Sequence, residues 1–146
     1  MDLILWRHAE AEDSFPDLSR KLTEKGRRQA DKTAAFLRQH LPPDARILVS
    51  PATRTQQTAA ALTDKFTTVP AIAPGASPHA VLQAARWPEK DETVLIVGHQ
   101  PTLGAVAAEL LGCVPLRIRK SGLWWLSLTE GNDETILRLA ITPDFL

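Results

Sequence analysis

The sequence predicts a three-layer α/β/α sandwich whose sheet is mainly parallel with one antiparallel edge. Three observations carry this. Strand and helix signals alternate from Leu3 to Leu111, the pattern of an α/β fold. The strand signals are short apolar runs, which suits strands covered on both faces. The last two strand signals have a turn and no helix between them, so they pair antiparallel. Right-handed crossovers then put helices on both faces of the sheet.

Each element has its own warrant. Residues 3–6, Leu-Ile-Leu-Trp, form the first strand. Residues 10–20 are polar and contain Pro16, so they form a loop. Thr23 caps a helix over 24–40 in which Ala30, Ala34, Leu37 and Leu41 recur at helical spacing, with Arg27, Arg28, Asp31, Lys32 and Arg38 on the other face. Pro42 and Pro43 stop it. Residues 46–49 are the second strand. Ser50 is read as the N-cap of the next helix and Pro51 as its first residue. Thr55, Ala59, Leu62 and Phe66 give that helix its apolar side. A weaker third strand covers 67–72, and a short helix capped by Ser77 covers 78–86. Residues 93–97 make the clearest strand. Gly98-His99-Gln100-Pro101 links it to a helix whose core side is Leu103, Val106, Ala107, Leu110 and Leu111. Strands over 123–128 and 135–141 flank a turn at Gly131-Asn132-Asp133, and Trp124 and Trp125 face opposite sides.

The 146 residues suit one domain spanning 1–146. With 44% hydrophobic and 23% charged residues the chain reads as globular. Lysine plus arginine equals aspartate plus glutamate at 17 each, so no overall field draws it to nucleic acid or to a membrane. No stretch approaches a membrane span and no signal-peptide core precedes the first strand, so a cytoplasmic protein is expected. Cys113 is the only cysteine, which excludes an internal disulfide. It is expected to be a small buried residue after a helix. Cys113 to Arg119 matches a Cys-x5-Arg spacing, but Val114, Pro115, Leu116 and Ile118 cannot form the glycine-rich loop that wraps a phosphate. His40 and His79 read as ordinary surface residues.

The chemistry gathers at strand ends. Arg7 and His8 follow the first strand, Arg54 opens the helix after the second, and His99 follows the fourth. Ligands of open α/β sheets bind beyond the carboxyl ends of the strands, so these four converge on one crevice. Two arginines, two histidines and helix N-termini make a site for a doubly charged tetrahedral anion. No carboxylate–histidine cluster of a metal site is evident. Arg117, Arg119 and Lys120 read as a solvated charge run or as a basic rim that steers an acidic partner protein.

Four segments resemble the histidine phosphatase superfamily. Leu5-Trp6-Arg7-His8-Ala9-Glu10 is similar to its RHG signature, and Leu22 to Ala30 to its LT-x-x-G-x-x-QA segment. Val49 to Ala59 is similar to its SP-x-x-R-x-x-QTA motif, and Val97 to Pro101 to its GH-x-P motif. They occur in the family's order within residues 3–111. The short chain, without a large helical insertion, resembles the SixA-type phosphohistidine phosphatases. The resemblance implies a phosphoglycerate mutase-like fold and no metal or other cofactor. It implies His8 as a nucleophile that becomes phosphohistidine, with Arg7, Arg54 and His99 as catalytic ligands of the phosphoryl oxygens. The physics agrees, because neutral imidazole is a nucleophile near pH 7 and guanidinium groups neutralise a transferring phosphoryl group.

Two departures bear on the substrate. The family's glycine after the histidine is Ala9, still small. Larger members carry a glutamate acid well after the second motif, whereas no acid occurs between Lys65 and Glu89. An alkoxide leaving group needs a strong general acid; the imidazole of phosphohistidine needs one less. The expected substrate is therefore phosphohistidine on a protein. Glu10, Glu12, Asp13 and Asp17 remain open as proton donors, Glu10 and Asp17 foremost, or as solvated loop residues. The alternatives are a phosphatase of a small phosphorylated metabolite, a non-catalytic phosphate-binding module and, weaker still, a mutase.

Overall fold

A computed structural model describes residues 1–89, 91–129, 131 and 133–146. The four central residues of the first strand, β1 (Asp2–Arg7), alternate between two cores. Leu3 and Leu5 enter one, Ile4 and Trp6 the other, and all four are fully buried. Burial of such a side chain contributes about 2 kcal/mol, which anchors β1 and fixes the point at which Arg7 and His8 emerge.

The other strands are β2 (Arg46–Val49), β3 (Thr67–Thr68), β4 (Thr93–Gly98), β5 (Leu123–Leu128) and β6 (Thr135–Ile141). They form a six-stranded sheet in the order β3-β2-β4-β1-β5-β6. The pairs β1–β4, β2–β4 and β2–β3 are parallel, whereas β1–β5 and β5–β6 are antiparallel. The expected mixed α/β sandwich is therefore observed, with β5 and β6 as the antiparallel side. Trp125 joins one core and Trp124 packs against the other, on opposite faces as expected.

Helix α1 (Glu24–His40) begins where predicted, because the Thr23 side chain accepts from the Gly26 N–H. Its Ala30, Ala34 and Leu37 share a core with Ala59 of α2 (Thr53–Ala60). On the other face, Val81 of α3 (Pro78–Ala85), which Ser77 caps, packs with Leu103, Val106 and Ala107 of α4 (Thr102–Leu111). The third strand is shorter than the sequence implies. Pro70 has no N–H for a ladder, and the chain leaves the sheet for a 3-10 turn over Pro70–Ile72 that buries Ile72. Helix α2 is also shorter at both ends. Leu62 and Phe66 still pack on the core, but from the chain beyond the helix. Cys113 is exposed, not buried. Gly112, with φ of 68°, ends α4 in the left-handed region, and the chain there turns outward. Of the expected hairpin turn, Asn132 lies outside the described residues. No helix among the described residues is long and apolar enough to cross a membrane.

Candidate active site

Strand register brings the site together. Parallel pairing sets Arg7 beside Gly98 and Val49 beside Val97. The residues that follow these strands, His8, Ser50 and His99, therefore leave the sheet side by side. The His8 N–H donates to the Gly98 carbonyl at 3.0 Å, and the Ser50 N–H to the Val97 carbonyl at 3.1 Å. The imidazoles of His8 and His99 lie 5.3 Å apart between centroids. His8, Arg54 and His99 are all buried, at 7%, 5% and 4% exposure. Arg7, Arg54, His8 and His99, predicted to converge, are brought to one end of the sheet.

The hydrogen bonds define the state of each group. His8 Nδ1 lies 2.7 Å from the Ala9 carbonyl. A carbonyl only accepts, so Nδ1 carries the proton and Nε2 keeps its lone pair. Burial is the largest influence on the His8 imidazole and lowers its pKa. The Ala9 bond opposes it, and Arg54, Arg7 and Arg20 lower it further, to about 4. His99 is pushed down to about 3, by burial first, then by His8 and Arg54, with Asp17 opposing and Arg7 adding. Both rings are therefore neutral at pH 7. Arg7 is lowered by burial and then by Arg117, yet a guanidinium stays charged at any working pH.

Ser50 differs from its expected role. Helix α2 starts at Thr53 with Ala52 as N-cap and no side-chain capping bond. The Ser50 hydroxyl instead lies 2.7 Å from His99 Nε2, and a serine before proline reads so readily as an N-cap that this partner goes unseen in the sequence. Thr58 was missed too. Its hydroxyl donates to the Arg54 carbonyl at 2.7 Å and accepts from the Ala9 N–H at 3.0 Å, tying the His8 loop to α2. Ser121, fully buried with φ of 57°, accepts from Trp6 Nε1 and, through its carbonyl, from the Thr33 hydroxyl. Its N–H donates to the His8 carbonyl at 3.1 Å.

The loop acids divide. The Asp17 backbone carbonyl accepts from Arg54 Nη1 at 2.9 Å, and its carboxylate pairs with Arg54 Nη2 at 3.2 Å. Burial raises the Asp17 carboxyl, but Arg54 and Arg20 together lower it by more, so it is a carboxylate at pH 7 and a poor acid. Glu10 accepts from the Thr23 hydroxyl at 2.7 Å and lines a cleft with Arg7. Glu12 and Asp13 are exposed. Three nitrogens of the cluster, the donors Arg7 Nε and Arg54 Nε and the ring nitrogen His99 Nδ1, are buried with no partner among the described residues. Leaving such groups unpaired costs about 1–3 kcal/mol each, a cost that an oxyanion would offset. No group of three His, Cys, Asp or Glu among the described residues is arranged to hold a metal.

Residues 3–75 match the histidine phosphatase superfamily, branch 1. The chain is 36% identical to a phosphohistidine phosphatase SixA homolog from Haemophilus influenzae, across 98% of this chain and 97% of that one. A solved structure of the protein histidine phosphatase SixA complexed with tungstate superposes with a TM-score of 0.86 at 25% identity, covering 99% of both chains. A phosphoserine phosphatase from Entamoeba histolytica shares the fold at 17% identity and a TM-score of 0.76, over 99% of this chain and 98% of that one. From the matched motifs and the near full-length identity, this chain belongs to the histidine phosphatase superfamily and is a phosphatase of the histidine type.

Proposed function

We propose that the chain is a metal-independent phosphatase that removes the phosphoryl group from phosphohistidine on a protein, through a phosphohistidine formed on His8. The observation that carries this is the His8 ring itself. It is neutral, fixed through Nδ1 on the Ala9 carbonyl, and buried among guanidinium groups. The SixA names of its relatives support the substrate, and tungstate in one of them is a tetrahedral oxyanion like phosphate.

In the first step the Nε2 lone pair of His8 attacks phosphorus as the substrate's N–P bond breaks. The substrate imidazole, protonated on its second ring nitrogen, takes the bonding electrons and leaves neutral. The His8 ring becomes cationic, and its Nδ1–H bond to the Ala9 carbonyl stabilises that charge. Arg7, Arg54 and His99 Nδ1–H bind the phosphoryl oxygens, while Ser50 holds His99 through Nε2. In the second step water attacks phosphorus, His8 leaves with the N–P electron pair, and inorganic phosphate and a proton are released. No strong acid is needed for such a leaving group. For an alkyl ester Glu10 is the donor in place of Asp17, whose carboxylate is paired with Arg54. A lone exposed thiol suits a reducing compartment, and the cytoplasm is the proposed location.

The test is phosphate release from a histidine-phosphorylated protein beside phosphomonoesters with good and poor leaving groups. Preference for phosphohistidine, with little action on alkyl esters, is expected. Efficient alkyl ester hydrolysis would move the assignment to a small-molecule phosphatase. His8→Ala should abolish both turnover and an acid-labile phosphoenzyme, and retention of either overturns the nucleophile. Activity should survive a chelator; loss restored by a divalent ion would overturn the metal-free mechanism.

A further inference from the structure

Beside the phosphate site lies an open cleft of about 550 Å³ with a strongly one-sided charge. Arg7 belongs to both. One bank is a stripe on α1, Lys25, Arg28 and Lys32, spaced at three and four residues so that the cations share a helix face. The other bank is Arg117, Arg119 and Lys120, from the segment between α4 and β5. None of these six side chains makes an ion pair or hydrogen bond to a described residue, and all are exposed. The carboxylates lining the cleft are Glu10 and Asp144. This field stands on a chain whose formal net charge is zero.

The second bank is built and not merely solvated. Ile118 between the arginines is fully buried, and its carbonyl accepts from Arg7 Nη1 at 2.9 Å. At one end of the segment the Leu116 carbonyl lies so close to α4 that a Cβ on Gly104 would meet it at 1.7 Å. At the other end Ser121 is tied to β1 and α1. Like charges along α1 cost the helix stability, and pinning three more opposite them compounds the repulsion. One carboxylate, Asp144, already lines the cleft. Asp144 is held below its usual range by the Thr142 hydroxyl first, then by its own backbone, with Arg119 and Lys32 adding against desolvation.

We propose that this cleft docks an acidic face of the phosphorylated protein substrate and so selects phosphohistidines that lie among carboxylates. The inference rests on the phosphohistidine reading above. The described lining has no aromatic side chain on which a nucleobase could stack. Its walls are open and carry seven cationic side chains, unlike an enclosed small-ligand pocket. Charge complementarity of this kind acts mainly on encounter rate and choice of partner.

Two synthetic phosphohistidine peptides test this, one flanked by glutamates and one by glutamines. At low ionic strength kcat/KM should favour the glutamate peptide by about tenfold or more, and added salt should erase the difference. The triple variant Lys25→Gln, Arg28→Gln, Lys32→Gln should lose the preference while turning over the glutamine peptide as before. The charge-reversed triple with glutamate should invert the preference, and the glutamine variant decides if that one fails to fold. Equal rates on both peptides in the unmodified protein, or a preference that survives the glutamine triple, overturns the docking surface. Failure on both peptides with aryl phosphate hydrolysis intact overturns the phosphohistidine reading alone. Anisotropy of the unphosphorylated, fluorescent glutamate peptide then still decides the surface, because binding should weaken in the triple variant and unchanged binding sinks it.

Discussion

Asp17 engages Arg54 with both its carbonyl and its carboxylate, so a phosphoryl group bound at Arg54 as proposed would share or displace an anion already present. Its side chain is 56% exposed, so the pair is partly screened and can open. Asp17→Asn keeps the shape and removes the competing charge. Inhibition by inorganic phosphate should tighten several-fold, and turnover of phosphohistidine should persist. A large fall in turnover with unchanged phosphate inhibition would instead make Asp17 a proton donor. Ser50 works in the opposite sense. Ser50→Ala leaves His99 Nε2 buried without its partner, a cost of about 1–3 kcal/mol. If that loss is felt in the transition state, kcat/KM falls by about tenfold or more. Melting temperature and kcat/KM measured together separate a stability loss from lost phosphoryl binding.

At the scale of elements, two glycines set how closely helices approach the loops that carry the site. A Cβ on Gly26 in the first turn of α1 would lie 2.0 Å from the Glu10 backbone carbonyl, which backbone atoms cannot yield cheaply. Gly26→Ala should therefore destabilise by about 1–3 kcal/mol or more and displace Glu10, which Thr23 and Gln29 hold there. Gly75→Ala is the control. Nothing lies within 4 Å of its Cβ position, and only its φ of +84° opposes the change, so the cost stays near 1 kcal/mol. Thermal melts of the two variants decide whether close approach outweighs backbone strain. The same positions show what was legible in advance. Strand alternation and caps such as Thr23 and Ser77 are local signals, and the elements they mark are present. Arg7, His8, Arg54 and His99 stood out because strand ends share one edge of a parallel sheet. Ser121, Thr58 and the partnership of Ser50 with His99 were not legible, because each depends on contacts between residues 49 or more positions apart. Cys113 was misread for the same kind of reason, since composition favours burial but the turn at Gly112 sets the direction of the chain.

For the whole molecule, the two site histidines tie stability to pH. Each has a folded-state pKa below the ordinary 6.5, about 4 for His8 and about 3 for His99, with burial as the first cause. Between those values and 6.5 the unfolded chain binds protons that the folded chain does not. The slope of unfolding free energy with pH is then positive, so stability falls as pH falls. Above about pH 7 both states are neutral and the effect vanishes. At pH 5 each histidine contributes a slope approaching 1.4 kcal/mol per pH unit. Asp17 acts in a lower window, because its lowered carboxyl costs stability only as pH falls below the ordinary carboxylate range. Denaturant midpoints taken from about pH 7 to about pH 5.5 should therefore decline while ordinary carboxylates stay almost fully ionised. His8→Asn removes one of the two groups and should cut the decline by about half. A decline unchanged in that variant would mean that folding leaves the His8 pKa at its ordinary value. Its Nε2 would then gain a proton as pH falls through about 6.5, and burial would not be what keeps the proposed nucleophile neutral.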